Sequence, residues 1–128
     1  MSLSQDSDNH NGSTDNNLTI KSDLGADCKD ARFLNYLEQV ISERQKSSPL
    51  GSYTAKLFAA GPLQIAQKVG EEAVETVIAA LGKDKQALAN EAADLLYHLL
   101  VLLTARDVAL ADVITVLRER HQCQSIKE

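Results

Sequence analysis

Glu91-Ala92-Ala93-Asp94-Leu95-Leu96-Tyr97-His98-Leu99-Leu100-Val101-Leu102-Leu103-Thr104-Ala105 decides the fold of this chain. Leu88, Ala92, Leu95, Leu96, Leu99, Leu100, Leu102 and Leu103 recur at helical spacing, and from Leu95 onward they occupy nearly the whole circumference. A helix apolar all round must be covered all round. Three companion helices in a chain of 128 residues can hardly do so, and self-association as a homodimer is the simplest remedy. Asp84 caps this helix, which should end near Ala105.

On its N-terminal side a second long helix is expected from Pro62, where a missing N–H is harmless, to Leu81. It should bury Ile65, Val69, Ala73, Val77 and Ile78, with Gly82 as its C-terminal cap. Further upstream, Phe33, Leu34, Leu37, Val40 and Ile41 form one stripe of a helix from about Asp30 to Lys46, ended by Ser47, Ser48, Pro49 and Gly51. Ser52-Tyr53-Thr54-Ala55-Lys56-Leu57-Phe58 reads as a short helix or an ordered loop. Beyond the turn at Arg106-Asp107, a last helix from about Leu110 to Gln122 should bury Val113, Ile114 and Leu117. No stretch alternates with period two, so the fold class is all-α: four main helices plus a possible short one, completed by homodimerisation.

Residues 1–28 are rich in Ser, Asp, Asn and Gly and have no periodic apolar face, the composition of a disordered polar leader. They lack the pattern of a signal or transit peptide. The folded domain is expected over residues 29–123 and a frayed tail over 124–128. The leader carries Asp6, Asp8, Asp15, Asp23 and Asp27 against Lys21, so most of the net charge of −5 sits there. A nearly neutral domain offers no basic stripe for long nucleic acid. The most apolar run, Leu95 to Ala105, is broken by Tyr97, His98 and Thr104 and is shorter than a membrane span. Cys28 and Cys123 form no ligand or redox motif, which fits a reducing cytoplasm.

The chemistry lies in Lys68-Val69-Gly70-Glu71-Glu72-Ala73-Val74-Glu75 and in Glu91-x-x-Asp94-x-x-x-His98. Glu71, Glu72 and Glu75 lie within one turn of each other, as do Glu91 and Asp94. Antiparallel packing across Gly82-Lys83-Asp84 opposes the two patches. Acids on helices usually belong to salt-bridged, solvated faces. Partner counting speaks against that here, because Glu75 and Glu91 have no base three or four residues away and the third long helix has no Lys or Arg between Lys85 and Arg106. Gathered carboxylates repel unless a cation intervenes. Hard oxygen donors without Cys suit Mg²⁺, or Mn²⁺, and Glu72, Glu75, Glu91 and Asp94 are the expected ligands. Mg²⁺ held in this way usually shares its coordination sphere with substrate phosphates, so a carboxylate free of the metal can accept water's proton while Lys56 and Lys68 hold a departing pyrophosphate. Glu71, Glu72, Glu75, Glu91 and Asp94 are therefore the catalytic candidates.

Glu71-Glu72-x-x-Glu75 followed by Glu91-x-x-Asp94 resembles the EExxE…ExxD signature of the MazG-like all-α nucleotide pyrophosphohydrolases. Together with Gly51 to Phe58 and Glu91 to His98, it is most similar to the phosphoribosyl-ATP pyrophosphatase family, over roughly Phe33 to Arg120. The resemblance implies a MazG-like helical bundle and a homodimer with a shared core. It also implies Mg²⁺-dependent hydrolysis of phosphoribosyl-ATP to phosphoribosyl-AMP and pyrophosphate, the second step of histidine biosynthesis. Ser52, Tyr53, Thr54, Lys56, Lys68 and His98 become the expected substrate contacts. In many bacteria this domain follows a phosphoribosyl-AMP cyclohydrolase domain; the leader lacks that domain's Cys pattern, so the chain reads as a free-standing enzyme or one half of a longer one. The alternatives are a house-cleaning enzyme acting on dUTP-like triphosphates and a non-catalytic helical dimerisation module.

Overall fold

The structure is a computed structural model and describes residues 30–127. The expected disordered leader lies outside the described residues. Among those described there are five helices and no strand: α1 Phe33–Ser47, α2 Tyr53–Ala60, α3 Pro62–Leu81, α4 Lys85–Ala105 and α5 Leu110–Lys127. The fold class is all-α, and the Ser52 to Phe58 segment is helical. The described residues divide between Leu37 and Glu38 into two units. In the first, Asp30 lies outside the helix, its carboxylate accepting the Arg32 backbone N–H at 2.8 Å, so α1 starts later than its apolar pattern suggested.

All that follows lies in the second unit. Ser52 Oγ accepts the backbone N–H of Ala55 at 3.2 Å and caps α2. At the other end Gly61 adopts φ 97°, a value that a side chain would resist, and its N–H closes α2 on Leu57 and Phe58. Pro62 then opens α3 at once, which turns the chain sharply between two helices. The α3–α4 connection is equally short. Asp84 Oδ1 accepts the N–H groups of Gln86 and Ala87 at 2.9 and 3.2 Å, so α4 begins directly and runs back antiparallel to α3.

The buried core comprises Ile41 of α1, Leu57 of α2, Ile65 of α3, and Leu100 and Val101 of α4. It gathers the short helix, the start of α3 and the later half of α4, leaving the middle of the α3–α4 pair for polar groups. Glu38 Oε2 accepts the Leu110 N–H at 2.7 Å, which ties the start of α5 to α1 and places a negative charge at the helix's positive end. The α5 backbone stays helical to Lys127, past Gln122 where its apolar pattern gives out.

Two burial expectations are corrected. Val77 and Ile78 are 61% and 63% exposed, and with Val74 and Leu81 they form a second apolar stripe on α3 that no described helix covers. Ile114 and Leu117 of α5 are also exposed. The helical period was read correctly, but one chain has too few elements to cover every apolar face it carries. α4 as a whole is long and apolar enough to cross a membrane by length and composition, with a mean hydropathy of 1.2 in its most apolar window. Counting only Leu95 to Ala105 had made it look too short. Its Glu91 and Asp94 lie beside Glu72 of α3, and its His98 bonds Tyr53 of α2.

Candidate active site

Because α3 and α4 run antiparallel across a short connection, the middle of one faces the middle of the other. Glu72 points from α3 toward Glu91 and Asp94 of α4, and one carboxylate oxygen from each lies within 4.8 Å of the others. The three differ in exposure: Glu72 is buried, Glu91 half-buried and Asp94 exposed, so the cluster opens to solvent on the Asp94 side.

Glu72 is the least expected side chain. Only 6% of it is exposed, and its Oε2 is buried with no hydrogen-bond partner. Such a group costs free energy unless something occupies its lone pairs. Its other oxygen, Oε1, lies 3.6 Å from Lys68 Nζ, one helical turn back. Burial raises the Glu72 pKa, and the neighbouring Glu75 carboxylate pushes the same way; His98 and Lys68 pull it down.

These observations test whether the residues suit a divalent cation. Hard cations take oxygens at about 2.0–2.6 Å, so opposed ligand atoms sit about 4–5 Å apart. The three oxygens meet that limit, and the lone pairs of Glu72 Oε2 are unclaimed by protein. The donor set is all oxygen, as Mg²⁺, Mn²⁺ or Ca²⁺ prefers and Zn²⁺ does not.

The remaining two acids have different places. Glu75 is exposed and adjoins Glu72 but lies outside the close trio. Glu71 turns away: Gln67 Nε2 donates to its Oε1 at 3.1 Å and Lys68 lies 3.7 Å from its Oε2. Adjacent positions on a helix diverge by about 100°, so Glu71 and Glu72 cannot both face α4. Lys68 therefore bridges both glutamates, and its pKa is raised chiefly by the Tyr53 oxygen and then by Glu72 and Glu71, against the effect of burial.

Above this cluster α2 is fastened to α4 by polar contacts. Tyr53 Oη and His98 Nε2 are 2.9 Å apart, and Thr54 Oγ1 is hydrogen-bonded to Tyr97 Oη. Tyr53 stacks on Tyr97 with ring centres 6.5 Å apart, while His98 stands edge-on to both rings. Among the expected substrate contacts, Tyr53, Lys68 and His98 thus converge beside the acids. Ser52 is occupied as the α2 cap, Thr54 is buried against Tyr97, and Lys56 is exposed and makes no ion pair among the described residues. Sequence reasoning passed over Tyr97, whose signal was a lone phenol in an otherwise apolar run beside His98.

The comparisons with known proteins agree with this geometry. Residues 34–121 match the sequence model of the family described as phosphoribosyl-ATP pyrophosphohydrolase. The chain is 58% identical over 90 residues to the histidine biosynthesis bifunctional protein HisIE of Salmonella typhimurium, covering 70% of this chain and 44% of that protein. It is 55% identical over 93 residues to the protein of that name from Yersinia pestis, covering 73% and 46%. The corresponding Escherichia coli K12 protein is 57% identical over 90 residues, covering 70% and 44%. The chain thus spans less than half the length of these curated relatives. With the match running from α1 into α5 and enclosing every acid of the cluster, the chain belongs to the phosphoribosyl-ATP pyrophosphohydrolase family.

Proposed function

We propose that this chain hydrolyses phosphoribosyl-ATP to phosphoribosyl-AMP and pyrophosphate, the second step of histidine biosynthesis, with Mg²⁺ held by Glu72, Glu91 and Asp94. The observation that carries the reading is the convergence of these three carboxylates, one of them buried with an unpartnered oxygen. A buried acid without a partner is a poor device for stability and a good one for binding a cation. Family membership supplies the substrate class.

When bound there, a divalent cation would neutralise charge on the phosphoryl oxygens and orient water. The protein's own groups do the rest. Lys68 lies against one Glu72 oxygen, Oε1, and the other, Oε2, has no hydrogen-bond partner. In this reading Glu75, exposed beside Glu72 and outside the trio, accepts the proton of the attacking water. Lys68 and the exposed Lys56 supply positive charge for the leaving pyrophosphate.

The active form is a homodimer, supported by the exposed stripe of Val74, Val77, Ile78 and Leu81, which resembles half of an interrupted core. The place of action is the cytoplasm, where nucleotide substrates and Mg²⁺ are available. Pyrophosphate release should be measured from phosphoribosyl-ATP and from a panel including dUTP and ATP. The expected result is turnover of phosphoribosyl-ATP well above every other nucleotide; faster turnover of dUTP would transfer the assignment to a house-cleaning activity.

A further inference from the structure

His98 is 5% exposed and reaches two partners in opposite directions. Its Nδ1 lies 2.7 Å from the backbone carbonyl oxygen of Asp94, and its Nε2 lies 2.9 Å from Tyr53 Oη. A carbonyl oxygen only accepts, so Nδ1 carries a proton. In a neutral imidazole Nε2 is then bare and must accept, which makes the Tyr53 hydroxyl the donor. A phenol has one proton. Once it is committed to His98, Tyr53 presents lone pairs alone to the rest of the site.

We infer that His98 is a positioning residue that makes Tyr53 a hydrogen-bond acceptor beside the acidic cluster, so that Tyr53 receives donors and does not hold phosphate. Phosphate oxygens are acceptors, and two acceptors do not bond. The donors within this chemistry are the ammonium of Lys68 and a hydroxyl of the substrate's ribose. The imidazole is held edge-on to Tyr53 and Tyr97, at ring-centre distances of 5.9 and 5.3 Å, so it cannot turn over without moving both rings. The separate Thr54–Tyr97 bond keeps α2 attached to α4 when the Tyr53 hydroxyl is removed. The ribose contact rests on the substrate proposed above; the direction of the Tyr53 hydrogen bond does not.

Two-bond ¹H–¹⁵N correlation spectra of the full chain, labelled at histidine and recorded at pH about 8 where an ordinary imidazole is neutral, read the tautomer directly. His98→Asn assigns the resonance. The expected result is protonation at Nδ1 alone, with the Nε2 resonance shifting in Tyr53→Phe. Protonation at Nε2, or at both nitrogens, would overturn the inference. In kinetics His98→Asn keeps a donor for Asp94 and loses the acceptor for Tyr53. It and Tyr53→Phe should each raise KM for phosphoribosyl-ATP about tenfold with little change in kcat, the scale of one hydrogen bond. The double variant should also lie near tenfold because the two residues act as one unit. An additive effect near a hundredfold, or an equal fall in kcat, would contradict it. If the wild-type chain does not turn over phosphoribosyl-ATP, the proposed function fails while the spectra still decide the tautomer.

Discussion

Replacing Glu72 by Gln should stabilise the metal-free protein while removing its response to Mg²⁺. Ionised Glu72 keeps a buried oxygen without a partner, at a cost of about 1–3 kcal/mol. Its pair with Lys68 at 3.6 Å offsets little of this, about 0.3–0.5 kcal/mol, because the lysine side chain is 39% exposed and screened by water. A buried amide still lacks a full complement of partners, so the net gain from the substitution is about 1 kcal/mol. For a domain of this size that raises Tm by about 4–8 °C. The effect has a sign in pH. Burial and Glu75 lift the folded pKa of Glu72 above 4.5. A carboxyl raised on folding stabilises the fold when protonated, below its unfolded pKa, and this contribution is lost as pH rises through the folded pKa. The variant's advantage should therefore be small below about pH 4.5 and open above it. Added Mg²⁺ at about a hundred times its Kd should stabilise the parent by about 2.7 kcal/mol and the variant far less. Thermal melts at fixed protein concentration, in EDTA and in Mg²⁺ at acid and alkaline pH, measure all three effects. A variant less stable than the parent in EDTA at alkaline pH, or one as responsive to Mg²⁺, would refute the reasoning.

Glu75→Gln, Glu91→Gln and Asp94→Asn should each lower Mg²⁺-dependent pyrophosphate release by at least about a hundredfold with helicity kept, the scale of losing a transition-state electrostatic contact; near-normal rates in all three would remove the site. Ile78→Asp places a charge in the exposed α3 stripe and should convert a dimer into a monomer in light scattering; an unchanged mass would exclude that face from the interface. Removing residues 1–27 should leave activity and Tm nearly unchanged, because that stretch has no periodic apolar face; a large loss of helicity would make it part of the fold.

Helix identity was legible because apolar spacing and caps agree locally. Pro62, Gly82 and Asp84 mark ends that the backbone realises. The opposition of Glu72 to Glu91 and Asp94 was legible too, since a connection as short as Gly82-Lys83-Asp84 leaves two long helices little choice but antiparallel packing. Periodicity does not say which of two apolar stripes meets the partner helix, and so Val77 and Ile78 were misplaced. It also does not separate neighbours such as Glu71 and Glu72, whose different surroundings depend on helix rotation about its axis. Tyr97 was missed because a phenol next to leucines looks like core until its hydroxyl partner, Thr54 on α2, is known.

The central claim is that Glu72, Glu91 and Asp94 form one divalent-cation site. Titrating the protein with Mn²⁺ and following the loss of the free-ion electron paramagnetic resonance signal tests it without recourse to substrate. Saturable binding to the wild type is predicted, displaced by excess Mg²⁺. Affinity should fall by at least about tenfold in Glu72→Gln, Glu91→Gln and Asp94→Asn, since even outer-shell changes cost that much. Binding of equal strength in the wild type and all three folded variants would contradict it.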